Sequence, residues 1–121
     1  GAVVVALGHV ATGIMGTDDN LIKNIKSSAN NTGEKVWEFP LWDEYIDQVK
    51  SKIADVKNVG APMQAGSIAG GAFLKAFVGH KIPWCHFDIA GTAWGDKDLP
   101  YQNKGTATGE VIRLVVDLLA V

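Results

Sequence analysis

Apolar residues fall in short blocks separated by turn-formers, and the spacing within each block predicts the element. Ala2–Leu7 is an unbroken apolar run between Gly1 and Gly8. Its valines favour a buried strand and its length suits a short buried helix; periodicity does not separate the two. Residues 11–15 read as a short strand, followed by the turn residues Gly16, Thr17 and Asp18. Asp18 or Asp19 then caps a helix over 20–29 with Leu21, Ile22 and Ile25 on its apolar face, and Gly33 closes it at positive φ. Residues 36–42 are extended and aromatic-rich, and Pro40 holds Phe39 in an extended conformation. The clearest amphipathic stripe is Ile46, Val49, Ile53 and Val56 behind an N-cap at Asp43, which predicts one helix ending at Asn58 and Gly60.

Residues 61–67 form a loop, and Ser67 is placed to cap a helix running to Phe77, with Gly79 as its stop. Gly70 and Gly71 inside that helix cost about 1 kcal/mol each relative to alanine. Such a cost points to a close approach by another backbone, or else to a distorted helix start. Residues 84–90 are the best strand, bounded by Pro83 and Gly91. A long loop over 91–109 follows, and Thr108 caps a last helix whose apolar face is Val111, Leu114, Val115, Leu118 and Leu119. Two or three short strands alternating with four helices define an α/β chain. Two strands make a poor sheet alone, so the expected sheet is incomplete. The chain enters its first apolar block at Gly1 with no Met and no polar lead-in. A cut piece of a longer protein is therefore the expectation.

Composition narrows the function classes. A length of 121 residues fits one domain, and 47% hydrophobic content is too high for disorder. Thirteen acidic residues outnumber eleven basic ones, and Arg113 is the sole arginine, so nucleic acid has no electrostatic case. The single cysteine, Cys85, excludes an intramolecular disulfide and a Cys-based zinc cluster. The longest apolar run is far too short for a bilayer, so no membrane association is expected.

Several residues could carry chemistry. His86 and Asp88 share a strand face, where they could bind a metal, form a base and its orienting carboxylate, or satisfy each other and the nearby backbone. Asp96 and Asp98 lack the oxygen donors of a calcium loop and read as a solvated turn. Cys85 points away from His86 and reads as structural. The glycine clusters match no phosphate loop, and Ser67 lacks a nucleophile elbow. Trp37, Trp42, Trp84 and Trp94 suit core or interface packing better than a ligand cage. Ligands in α/β sheets gather beyond strand ends, which draws attention to residues 90–94.

Five ordered stretches carry a family resemblance. They are Gly-Ala-Val-Val-Val-Ala-Leu-Gly-His at 1–9 with Ala-Thr-Gly at 11–13, Pro-Leu-Trp-Asp-Glu-Tyr at 40–45, and Ile-Ala-Asp-Val-Lys-Asn-Val-Gly at 53–60. Trp-Cys-His-Phe-Asp-Ile-Ala-Gly-Thr-Ala-Trp at 84–94 follows, then Lys104-Gly105 and Ala107-Thr108-Gly109 with Arg113. Together they resemble the leucyl aminopeptidase family, also called cytosol aminopeptidases, over essentially the whole chain. The resemblance implies a mixed sheet flanked by helices, with residues 1–121 the C-terminal part of a catalytic domain and Ala2–Leu7 a helix. It implies a cytoplasmic, homohexameric exopeptidase that removes N-terminal residues, leucine preferred, from peptides with a free N-terminus. Two divalent ions, zinc or manganese, serve that chemistry in the family.

The family's metal ligands and its catalytic arginine and lysine lie upstream of the matching segment. No catalytic or metal residue carries over to this chain, no ion is expected on it alone, and it is expected to be inactive alone. His86, Asp88, Asp96 and Asp98 are not the family's ligands. The substrate pocket does carry over: Gly1, Ala90 and Ala93 match positions lining the pocket for the first side chain, and Val59 a position contacting the second residue. The chain departs from the pattern at Glu110, at Pro62 and in one additional residue within 104–108. Two other readings stay open. One is a non-enzymatic binding or assembly module using the same fold and an exposed aromatic surface; the other is a different metal enzyme using His86 and Asp88.

Overall fold

The central strand, β1 (Thr12–Gly16), is buried along nearly its whole length. It pairs in parallel with β2 (Val36–Glu38), Thr12 opposite Val36, and antiparallel with β3 (Cys85–Asp88), Ile14 opposite Phe87. The order β2-β1-β3 is a three-stranded mixed sheet. The computed structural model describes residues 1–120, which form five helices around these three strands. The architecture is α/β, as the alternation of elements predicts.

Alternation along the strands sorts side chains onto two faces. Ile14 packs with Ile22, Ile25 and Ala29 of α2 (Asp19–Thr32) and with Leu114 of α5 (Ile112–Leu119), and Cys85 and Phe87 of β3 join the same cluster. On the other face, Met15 fills the space beside Gly71 of α4 (Gly66–Lys75), and Gly13 lies against Val3 of α1 (Ala2–Leu7) and Phe39. Ala2–Leu7 is thus a helix despite its valines. It is closed at Gly8, whose φ is 63°.

α2 forms as its caps predict, starting one residue earlier and ending three later than expected. Asp18 Oδ1 accepts the Leu21 N–H at 2.7 Å. The Thr32 hydroxyl donates to the Ser28 carbonyl at 2.8 Å, and Gly33 ends the helix at φ 75°.

The helix expected from Asp43 to Asn58 does not form. α3 covers Asp43–Asp47, its N-cap is Trp42 rather than Asp43, and the chain then turns back so that Lys50 bridges Val56. Ser51 supplies the reason: its hydroxyl accepts the backbone N–H groups of Ile53 and Ala54 at 3.2 and 3.1 Å. That local turn competes with the helical ladder. Ile53, expected on the buried stripe, is 99% exposed.

Two expected caps are also replaced. α4 begins after Ala65, which adopts φ 43°, and Ser67 lies inside the helix with its hydroxyl bonded elsewhere. α5 begins after Val111, and the Thr108 hydroxyl is used on the Thr92 carbonyl instead. The α5 N-terminus is capped from across the molecule, where the buried Glu34 carboxylate accepts the Leu114 N–H at 2.9 Å. The same carboxylate faces Arg113 Nε at 3.4 Å.

Candidate functional site

Because β3 runs antiparallel to β1, its last residue, Asp88, lies opposite Gly13 near the start of β1. The exit of β3 therefore meets α1 and the beginning of α4 at one end of the sheet. The turn leaving β3 folds tightly, with the N–H groups of Thr92 and Ala93 both donating to the Ile89 carbonyl, at 3.0 and 2.8 Å.

This turn is braced from several elements. Asp88 Oδ2 accepts the Ser67 hydroxyl of α4 at 2.5 Å, and Asp88 Oδ1 accepts the Ala90 N–H at 3.3 Å. The buried hydroxyls of Thr12 and Thr92 lie 2.6 Å apart. Thr108 donates to the Thr92 carbonyl at 2.6 Å, and His9 Nδ1 donates to the Gly91 carbonyl at 2.7 Å. A Cβ at Gly91 would collide with the Gly8 carbonyl, so glycine there permits α1 to pack against the turn.

Three of the four expected pocket residues, Gly1, Ala90 and Ala93, sit on segments around this end of the sheet, and Val59 lies on a separate loop. Gly1 is the exposed N-cap of α1; Ala90 is exposed and Ala93 half-buried on the braced turn. α1 and α4 approach closely at their starts, since a Cβ at Gly66 would lie 2.8 Å from Ala2 Cβ. Val59 is largely exposed on the loop before α4, next to Gly60, which abuts Ala69 of that helix. A cleft of about 1040 Å³ opens beside Thr92, between Glu34, Trp94, Gln102, Thr108 and Arg113, and none of the four residues lines it.

The other candidates separate. Asp88 is engaged by Ser67 and the Ala90 backbone rather than by His86. Burial lowers the His86 pKa, and the nearby Asp88 charge opposes that shift. Cys85 faces the α2–α5 cluster, and burial pushes its thiol up to about 11, which leaves it protonated and unreactive near neutral pH. Asp98 accepts the Lys104 N–H at 2.7 Å and shapes its own loop. Glu110 is held above its ordinary value by burial and by Glu34, with Arg113 opposing. Trp37, Trp42 and Trp94 are more than 60% exposed, so of the expected core or interface packing the core part does not hold for these three. Trp84 stacks on His86 with ring centroids 6.3 Å apart.

The bracing roles of Glu34, Thr12, Thr92 and His9 were not legible from spacing, although His9, Thr12 and Thr92 lie within the stretches that carry the family resemblance. Their partners lie about 80 residues away in sequence, and a single glutamate between Gly33 and Lys35 forms no pattern. Among the described residues, no group of three or more His, Cys, Asp or Glu side chains is gathered as a metal ion would require.

The arrangement is that of a small-residue turn held rigidly at the end of an α/β sheet. The sequence model for the cytosol aminopeptidase family, catalytic domain, matches residues 1–116, and the chain belongs to that family. A probable cytosol aminopeptidase of Geotalea uraniireducens is 53% identical over 98% of this chain and 23% of its own length. One from Cenarchaeum symbiosum is 44% identical over 98% of this chain and 25% of its own length. A mutant of tomato leucine aminopeptidase superimposes with a TM-score of 0.87 at 37% identity, over 98% of this chain and 22% of that one. The chain spans about a quarter of the length of the curated relatives it matches.

Proposed function

We propose that this chain contributes the side-chain-selecting part of an aminopeptidase that releases N-terminal residues, leucine preferred, from peptides with a free N-terminus. The observation that carries the reading is the braced turn at Ile89–Ala93, tied to α4, α1, β1 and the loop at Thr108. Small, uncharged residues on a rigid turn are suited to bordering a branched aliphatic side chain. In this reading Gly1, Ala90 and Ala93 border the first side chain and Val59 contacts the second residue.

The reading includes two divalent ions, zinc or manganese, which polarise the scissile carbonyl and activate water in two-metal hydrolases. Among the described residues, no donor set fits such a centre. The ligands of the ions belong, on this proposal, to residues outside these 121, and the isolated chain is inactive. The same reading places the enzyme in the cytoplasm as a homohexamer. No helix among the described residues is long and apolar enough to cross a membrane.

A second reading, a binding or assembly module without catalysis, is favoured by the exposed Trp37, Trp42 and Trp94. Hydrolysis of leucyl substrates by the full-length protein distinguishes the two. The pocket assignment is tested by Ala93→Phe in that protein. The added ring should cut the preference for leucyl over alanyl substrates by roughly tenfold, the scale of a lost hydrophobic fit. An unchanged preference refutes the assignment.

A further inference from the structure

We propose that Asp88 is a positioning residue for the Ile89–Ala93 turn, with Ser67 as its anchor on α4, and that this pair sets how sharply the first side chain of a substrate is discriminated. The inference rests on the pocket reading above and extends it to two residues that border no part of the pocket.

The two Asp88 oxygens have separate tasks. Oδ2 accepts the Ser67 hydroxyl at 2.5 Å, and Oδ1 accepts the Ala90 N–H at 3.3 Å. Ser67 is 8% exposed and lies in the first turn of α4. A serine at a helix start ordinarily serves the helix's own N–H groups. Here the hydroxyl serves Asp88 instead, and α4 begins from Ala65 with no side-chain cap. The carboxylate also sits near the α4 N-terminus, where negative charge is favoured.

The remaining braces act further along the turn. His9 holds the Gly91 carbonyl, while Thr12 and Thr108 hold Thr92. Among the described residues, Asp88 supplies the side-chain bond that reaches the Ala90 backbone. Ala90 is exposed, so packing does not fix it in place. The Ser67–Asp88 bond therefore ties the Ala90 backbone to α4. Loosening it lets the pocket widen, which weakens the hold on leucine while leaving the chemistry untouched.

The test uses the full-length protein with leucyl and alanyl p-nitroanilides. Asp88→Ala should lower the leucine-to-alanine ratio of kcat/KM by about fivefold, the scale of one or two lost hydrogen bonds. The loss should lie in a raised KM for the leucyl substrate, with kcat changed by less than about twofold. Asp88→Asn should restore most of the ratio, since its oxygen can accept the Ala90 N–H and its amide can donate to Ser67. Ser67→Ala should show a smaller fall, about threefold.

An unchanged ratio in Asp88→Ala, a loss confined to kcat, or an Asn variant as impaired as the Ala variant would overturn the proposal. If Asp88→Ala does not fold, Ser67→Ala decides: an unchanged ratio overturns the proposal and a threefold fall sustains it. Ala93→Phe is measured alongside. If that variant leaves the ratio unchanged, the pocket reading itself fails. If it shifts the ratio while Asp88→Ala does not, the positioning role alone fails.

Discussion

The half of the molecule built on α2, β1 and α5 buries Ile14, Ile22, Ile25, Ala29 and Leu114 at 5% exposure or less. The half built on α3, residues 48–65 and α4 buries Val49, Ala69 and Ala72 in its own cluster but leaves Ile53 and Met63 wholly exposed. In the first half, three of the four ends of α2 and α5 have a cap: Asp18 and Gly33 for α2, and Glu34 for the start of α5. In the second, Met63 and Ala65 adopt left-handed backbone conformations, at φ 58° and 43°; the first has one such residue, Val111 at the start of α5, at φ 75°. Such positions cost about 1–3 kcal/mol each and persist where surrounding structure enforces them. On the proposed reading, the difference separates stability from recognition. A packed platform on one face supports a less regular layer that carries Val59 and sets the start of α4 against the β3 turn.

If the α2–α5 half is the stable platform, its buried cap should be the most sensitive point. Glu34→Ala removes the acceptor for the Leu114 N–H in a buried setting. The loss should be about 2 kcal/mol of unfolding free energy, read by denaturant titration. A loss below about 0.5 kcal/mol would mean that α5 is not anchored through this carboxylate.

The second contrast lies within α4, between neighbouring glycines. A Cβ at Gly71 would run into Met15, which is fully buried and has little room to move, whereas a Cβ at Gly70 meets nothing within 4 Å. Gly70→Ala should stabilise the chain by up to about 1 kcal/mol through helix propensity. Gly71→Ala gains the same propensity but overpacks the core by about 1–3 kcal/mol, for a net loss. Equal thermal shifts for the two variants would show that the interface between α4 and β1 is looser than the packing of Met15 implies.

What could be read from sequence follows the same division. α2 was legible because its apolar spacing and local caps agree at Asp18 and Gly33, and β1 and β3 from their apolar spacing; α5 was legible through Leu114, while its expected cap at Thr108 is used elsewhere and Leu119 is exposed. The close approach at Gly71 was legible, but its partner is the Met15 side chain rather than a backbone. The segment after α3 was misleading because its apolar stripe continues past Asp47 while Ser51 diverts the backbone. At the candidate site, the motif at residues 84–94 marked the turn. The bonds that hold the turn were hidden, since Ser67–Asp88 and Thr12–Thr92 join residues 21 and 80 apart. A hydroxyl and its distant acceptor leave no periodic trace.

The smallest expected effect is the sharpest test of the irregular half. Had residues 43–58 formed one helix, Ile53 would lie on its buried stripe, and truncating it would cost about 2–4 kcal/mol. With Ser51 turning the chain and Lys50 bridging Val56, Ile53 projects into solvent at 99% exposure. Ile53→Ser in the 121-residue chain should therefore change stability by no more than about 0.5 kcal/mol. Ser51→Ala should act in the opposite sense on local structure. It deletes the acceptor for Ile53 and Ala54, and helical content should rise as residues 48–56 regain their amphipathic ladder. Far-UV circular dichroism reads that change. A large loss on truncating Ile53, with no helical gain on removing the Ser51 hydroxyl, would place this segment in the packed half and dissolve the contrast between the two regions.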